Sequence, residues 1–247
     1  MKIVVKSFSA AGKVRKNNED NLFTNLEKKV FAVADGMGGG AEGEKASAMV
    51  CSALEASMAA EPFPKRVDAI GEAIEKVNCE IHDYAAGRGF KQMGSTIALL
   101  MLEGGESKRA AICHIGDSRV YRIRGKAAEL LTRDHSVGEE LAMALGESKV
   151  GDTFTNRSNP LAHVLTRAIG TENKVKCEWR KLDVEAGDIY LICSDGVHDV
   201  IETDELPAIF TAEDLEKTVQ RLSEQVLQRG APDNYSFVIV SIGKEES

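Results

Sequence analysis

Three apolar runs in this chain meet an aspartate in a loop of small residues. VFAVADGMGGG, Val30 to Gly40, delivers Asp35 into a stretch with almost no side chains, and IYLICSDGV places Asp195 before Gly196 in the same way. APDNYSFVIVSI sets Asp233 and Asn234 just ahead of the last apolar run. If that last strand is antiparallel to the other two, its beginning lies beside their ends, and three carboxylates converge on one edge of a sheet. Carboxylates held that close repel, and burial penalises their charged forms, so such a cluster calls for something positive among them. A hard divalent cation meets the need. Oxygen donors with no His or Cys close by in sequence favour Mg²⁺ or Mn²⁺ over Zn²⁺, and the glycines leave room for a hydrated ion. A lone Asp-Gly is usually a turn, so the weight rests on the recurrence. The glycine run also invites a phosphate-cradling reading, but GxxxxGK[ST] is absent and no GxGxxG opens a helix.

The elements that must position these residues are legible in outline. Strand-like runs cover Ile3 to Ser9, Val30 to Ala34, Thr96 to Leu102, Ala110 to Ile115, Val120 to Ile123, Ile189 to Cys193 and Phe237 to Ile242. Val67, Ile70, Ile74, Val77 and Ile81 keep one apolar helical face, and Ala46, Met49, Val50, Ala53 and Leu54 define a helix before it. Leu215, Val219, Leu222 and Val226 define a third, opened by Thr211 and Asp214 and stopped by Gly230 and Pro232. Strands come in clusters without regular βαβ alternation, which argues against a doubly wound parallel sheet and for a layered α+β sandwich, sheets inside and helices outside. With 247 residues, 43% of them hydrophobic, and no repeat or Pro/Gly/Ser linker, one domain is expected.

Composition removes whole classes of function. A net charge of −8 argues against a nucleic-acid surface. Cys51, Cys79, Cys113, Cys177 and Cys193 are odd in number, scattered and without a CxxC pair, so they read as reduced core thiols of a cytoplasmic protein. The N-terminal MKIVVKSFSA lacks the long apolar stretch of a leader, and no segment approaches a membrane span.

Taken together the motifs resemble those of the metal-dependent, type 2C serine/threonine protein phosphatases, in their bacterial form. They run in the family's order: VRKNNED at Val14 to Asp20, DGMGG at Asp35 to Gly39, GST at Gly94 to Thr96, GDSRVY at Gly116 to Tyr121, DHS at Asp134 to Ser136, LTRAIG at Leu165 to Gly170, CSDGV at Cys193 to Val197, and DN at Asp233 to Asn234. The resemblance implies two antiparallel sheets flanked by helices, a four-layer αββα arrangement, over a single catalytic domain spanning 1–247 with a flap at about 138–164. It implies two Mn²⁺ or Mg²⁺ ions, with Asp35 bridging them, the Gly36 carbonyl on one, Asp195 and Asp233 completing the other, and Glu19 nearby, mostly through water. Asp117, with Asp195, is the counterpart of a pair that holds a third, weaker metal in bacterial relatives. Asp20 and Asn234 are expected to orient ligands.

The implied reaction is hydrolysis of phosphoserine and phosphothreonine in proteins by a metal-activated water, with Arg15 gripping two phosphoryl oxygens in its planar fork. Met37 stands where eukaryotic members carry a His considered as proton donor to the leaving group, so a metal-held water is expected to serve instead. Thr96, Ser118, Arg119, Asp134, His135 and Thr166 read as hydrogen-bonded supports. The expected partners are phosphorylated proteins and a serine/threonine kinase that the enzyme opposes, with the chain acting as a monomer. A pseudophosphatase that keeps the fold only to bind a partner is the competing class, and retention of Asp35, Asp195, Asp233 and Arg15 argues against it.

Overall fold

The computed structural model describes residues 1–59, 62–90, 92–104, 108–145, 159–210 and 214–243. In chain order its strands are β1 (Lys2–Ala10), β2 (Asp20–Asn25), β3 (Val30–Met37), β4 (Gly94–Ser95), β5 (Ile97–Leu102), β6 (Arg109–Ile115), β7 (Arg119–Arg124), β8 (Ala127–Leu130), β9 (Glu178–Asp183), β10 (Ile189–Cys193) and β11 (Tyr235–Gly243). The helices are α1 (Ala41–Ser57), α2 (Phe63–Arg88), α3 (Val137–Ala144), α4 (Asp195–His198), α5 (Leu206–Ile209) and α6 (Leu215–Gln228). Two antiparallel sheets form, one in the order β1-β11-β10-β7-β8 and the other β2-β3-β5-β6-β9, with β4 paired to β3.

The layers follow from side-chain alternation. On β3, Val30, Ala32 and Ala34 pack against α1 and α2, while Phe31 and Val33 face the other sheet, as the two-residue period of a strand requires. On β10 and β11, Tyr190, Ile192, Val238 and Val240 meet that inner face, and Leu191, Phe237 and Ile239 pack beneath α5 and α6. The order is therefore helices, sheet, sheet, helices, as expected.

All seven expected strands and three expected helices are present. The strands the sequence did not disclose are β2, β8 and β9, which lie at sheet edges, and the two-residue β4. An edge strand buries little: β9, EWRKLD, buries only Leu182. Charged edges suit the need to block further pairing, and they erase the apolar alternation that would have revealed them. Cys79 is exposed, which departs from the reading of the thiols as core residues.

Helix ends follow their sequence signals in part. Asp214 caps α6, its carboxylate accepting from the Lys217 N–H at 3.1 Å, while Thr211 lies outside the described residues. Gly89, with φ of 71°, closes α2 in the left-handed conformation. Gly40 leads into α1 without a local side-chain cap; its N–H is taken by the Glu19 carboxylate at 2.6 Å, so the start of this helix is tied to the acidic loops. Of the stretch expected to form a flap, about 138–164, only the margins lie within the described residues. Ser136 caps α3, accepting from the Glu139 N–H at 3.3 Å, and a 3₁₀ turn spans Pro160–His163; residues 146–158 lie outside the described set.

Beyond the flap, the chain from Leu165 to Lys176 has no helix or strand of its own and is pinned from outside. Ile169 forms an isolated bridge with Ser95. Asn78, on α2 and fully buried, accepts from the Gly170 N–H at 2.7 Å and donates to the Glu172 carbonyl at 2.9 Å. Asn78→Ala would leave both backbone groups unpaired in a buried setting and is expected to cost about 3 kcal/mol. A drop in the urea midpoint at constant slope would show it; a midpoint equal to the parent's would contradict it.

Candidate active site

The acidic loops gather at one end of the sandwich, but not along one edge of one sheet. β11 is antiparallel to β10, pairing Phe237 with Cys193, so Asp233 does lie beside Asp195. Asp35, however, ends β3 in the other sheet. The three carboxylates therefore meet across the gap between the sheets. No sequence pattern assigns a strand to one sheet or the other, which is why the expected geometry was flat and the observed one is a cleft.

The rows that face between the sheets turn polar as they reach this end. Asp35 continues the row of Phe31 and Val33, and the register pairs it with Asp20, which continues the row of Leu22 on β2. Across the gap, Ser194 continues Ile192, and Ser236 and Asn234 continue Val238. Ser194 donates to Asp20 Oδ2 at 2.8 Å, a hydrogen bond that joins the two sheets. The second Asp20 oxygen, Oδ1, is buried with no hydrogen-bond partner among the described residues. Gly116, Asp117 and Ser118 carry the chain from β6 in one sheet to β7 in the other, which sets Asp117 at the crossing.

Backbone and hydroxyl contacts hold these groups in place. Asp35 and Thr96 exchange a pair of bonds: the Asp35 N–H donates to Thr96 Oγ1 at 3.1 Å, and the Thr96 N–H to the Asp35 carbonyl at 2.8 Å. Thr96 Oγ1 lies 2.7 Å from Ser118 Oγ, which links Asp35 to the crossing beside Asp117. Arg119 grips Asp134 with two nitrogens, the shortest contact 2.6 Å, and His135 Nδ1 accepts from the Gly116 N–H at 3.1 Å. The expected supports thus do support, with one exception: Thr166 Oγ1 is buried without a partner among the described residues.

Glu19 is fixed at every polar atom but one. Its N–H donates to Asn234 Oδ1 at 2.9 Å, its carbonyl accepts from the Gly36 N–H and from Ser47 Oγ at 3.1 and 2.6 Å, and Oε1 accepts from Gly40. Oε2 packs against Gly43, where a Cβ would stand 1.8 Å away. Only glycine lets α1 approach this carboxylate. Asn234 also donates to the Ala11 and Asn17 carbonyls at 3.1 and 2.8 Å, so its amide clamps the loop that carries Arg15 and Glu19. Arg15 itself lies at the rim with its side chain 55% exposed, Nη2 2.7 Å from Asp233 Oδ2.

The electrostatics match the crowding. Asp35 and Asp195 keep part of their surface open to the cleft, yet protein packs round them on most sides. Burial first, and then Asp20, Asp195, Asp117 and Asp233, push the Asp35 carboxyl well above its usual range. Asp195 is raised by burial and by Asp117, Asp199, Asp233 and Asp20. Burial, with Asp134 next, lifts Asp117 to about 7; burial lifts Asp20 to about 6 against the hydroxyls of Ser236 and Ser194. Asp199, Gly43, Ser47 and Ser194 were not singled out from sequence. Asp199 was detectable as an acid four residues, one helical turn, beyond Asp195; the others matter only through contacts distant in the chain.

This donor set suits a hard cation. It is oxygen-only and acidic, and the unpartnered Asp20 oxygen and repelling carboxylates supply the charge a cation needs. Among the described residues no three such side chains are drawn round one point, so water would complete the shell, which Mg²⁺ and Mn²⁺ tolerate well.

Comparison with known proteins gives the same answer from another direction. Residues 12–233 match the family model described as protein phosphatase 2C. The chain is 30% identical over 235 residues to the serine/threonine protein phosphatase PstP of Mycobacterium tuberculosis, an alignment covering 95% of this chain and 44% of that protein, so it spans less than half of that relative's length. Among solved structures, PppA, "a key regulatory component of T6SS in Pseudomonas aeruginosa", superposes with a TM-score of 0.87 at 34% identity, covering 98% of each chain. The PstP catalytic domain in complex with two manganese ions superposes at 0.84 and 28% identity, covering 98% of this chain and 99% of that one. The chain belongs to the protein phosphatase 2C family.

Proposed function

We propose that this chain is a Mn²⁺- or Mg²⁺-dependent phosphatase that hydrolyses phosphoserine and phosphothreonine in proteins. The observation that carries the reading is the cleft itself: Asp20, Asp35, Asp117, Asp195 and Asp233 gather at the open end of the sandwich, and burial together with neighbouring carboxylates raises the pKa of the first four. The names of relatives such as the serine/threonine protein phosphatase PstP and the serine/threonine phosphatase stp support the substrate class.

Asp35, Asp195 and Asp233, with Glu19 and the Gly36 carbonyl, would hold two cations, and Asp117 with Asp195 a third and weaker one. What such ions supply is a water ionised near neutral pH and neutralisation of the phosphoryl oxygens. The protein's own groups do the rest. Arg15 presents its fork at the rim, and the nitrogens not engaged by Asp233 are free to grip phosphoryl oxygens, a planar recognition that Lys does not reproduce. Asp20 and Asn234 fix the backbone and loop that carry Asp35 and Glu19. Met37, a residue with no proton to give, leaves protonation of the departing seryl oxygen to water.

We infer further that residues 1–247 form one catalytic domain, that the flap borders the cleft, and that the protein acts as a cytoplasmic monomer opposing a serine/threonine kinase. The net charge of −8 and the five free cysteines support that setting, and no helix among the described residues is long and apolar enough to cross a membrane. The alternative, a partner-binding module without catalysis, would have no need to keep this crowd of carboxylates.

Hydrolysis of a phosphothreonine peptide by metal-stripped protein should appear on adding Mn²⁺ and fall roughly 100-fold or more in Asp35→Asn; absence of turnover at any metal level would favour the binding module. The pH dependence has a defined sign. Asp20 and Asp117 hold protons in the folded state up to about 6 and 7, against about 3.9 when unfolded, so their contribution stabilises the metal-free protein at low pH and is lost as pH rises through that window. A cation must displace those protons. The rise in Tm produced by Mn²⁺ should therefore be larger at pH 8 than at pH 6, and an equal rise at both would contradict the role given to these carboxylates.

A further inference from the structure

A trough lies along the segment from Leu165 to Lys176. Its inner chamber, of about 410 Å³, begins at Met37 and is walled by Phe90, Met93 and Leu165. Its outer chamber, of about 280 Å³, reaches Lys174 and Lys176. Thr166, Arg167, Ala168, Thr171 and Glu172 border both, so the two adjoin along this segment. Met37 lies two residues beyond Asp35 on β3, about 7 Å along the strand. The near end of the trough is therefore two residues of β3 from the carboxylate cleft.

The walls are preformed. Ser95 and Asn78 pin the segment from Ile169 to Glu172 on one side, and Thr166 donates its N–H to the His135 carbonyl at 2.9 Å. The hydroxyl of Thr166 finds no hydrogen-bond partner among the described residues. Charge is distributed unlike the rest of this acidic chain. Arg167 is matched by Glu178 at 2.6 Å, but Lys174 and Lys176 are exposed with no carboxylate partner among the described residues. At the other mouth, beside Phe90, Lys45 and Arg88 stack on Tyr84 at 4.0 and 3.7 Å, again without an acidic partner among the described residues. Among the described residues, Glu172 is the one carboxylate lining either chamber.

We propose that this trough binds the substrate polypeptide next to its phosphorylated residue and selects acidic side chains there, with Lys174 and Lys176 as the recognising charges. The inference rests on the phosphatase reading above. It names a substrate class for the same site: phosphoproteins whose phosphorylated residue is flanked by acidic sequence.

The test uses the whole chain with Mn²⁺ and two phosphothreonine peptides of equal length, one flanked by Glu and one by Gln, with p-nitrophenyl phosphate as a substrate that has no flank. The acidic peptide should show a KM about tenfold lower, the worth of roughly 1.4 kcal/mol. In Lys174→Glu/Lys176→Glu that preference should vanish or reverse, with p-nitrophenyl phosphate turnover and kcat on the Gln peptide unchanged. Lys126→Glu, at the β7–β8 turn on the opposite end of the sandwich, should keep the preference. Equal KM values for the two peptides in the parent protein would overturn the trough assignment, as would the same loss from Lys126→Glu, which would mean net charge alone. No turnover of p-nitrophenyl phosphate at any Mn²⁺ level would instead overturn the phosphatase reading, and the trough's role as a substrate site would fall with it.

Discussion

Mutual repulsion among buried carboxylates is the constraint to which the rest of this structure answers. Burial and neighbouring carboxylates hold Asp20, Asp35, Asp117 and Asp195 above the usual carboxylate range, with Asp233 close by, and left to themselves such groups would move apart or take up protons. Two rigid sheets prevent the first. Asp20 and Asp35 are registered on neighbouring strands of one sheet, Asp195 and Asp233 flank a strand pair of the other, and Asp117 sits on the crossing between them. The core between the sheets, from Phe31 to Val240, sets their separation, so packing far from the cleft determines how near the charges come.

The polar groups round the cleft share one arrangement: each carboxylate-bearing loop is tied to an element distant in sequence. Glu19 accepts from the start of α1, Asn234 clamps the loop after β1, Ser194 bonds to Asp20 in the opposite sheet, and Thr96 links Asp35 to Ser118. Such ties hold a site to the sub-ångström tolerances that catalysis by positioned charge demands. They also explain the glycines. Gly43 admits Glu19, and Gly196 admits the backbone of Asn234, where a Cβ would come within 2.0 Å of its carbonyl oxygen. These are positions of close approach rather than of unusual backbone angles.

A site built this way is fixed on the inside and adaptable at its rim. Arg15 lies half in solvent, short helical turns stand at Val137–Ala144 and Pro160–His163, and the trough beyond Met37 is bordered by exposed lysines. The carboxylates are buried and tied from several directions, while at the rim charge and shape can change without disturbing them.

Much of this was legible in the chain. The apolar runs of β3, β10 and β11, the helical stripes of α1, α2 and α6, and the aspartates at strand ends are local patterns, and a period of two or 3.6 residues records burial directly. Ordered short motifs then pointed to the family and to the acidic residues of the cleft. Edge strands such as β8 and β9 left no such trace, because they bury one residue or none and carry charge outward. The sequence by itself determined which carboxylates exist and that they end strands. Only the tertiary structure decided that Asp35 faces Asp195 and Asp233 across two sheets rather than along one, that Ser194, Ser47 and Gly43 share the site, and that Met37 opens onto a trough. Those outcomes depend on how strands distribute between sheets and how loops distant in sequence close on one another, and neither is written in the periodicity of any single segment.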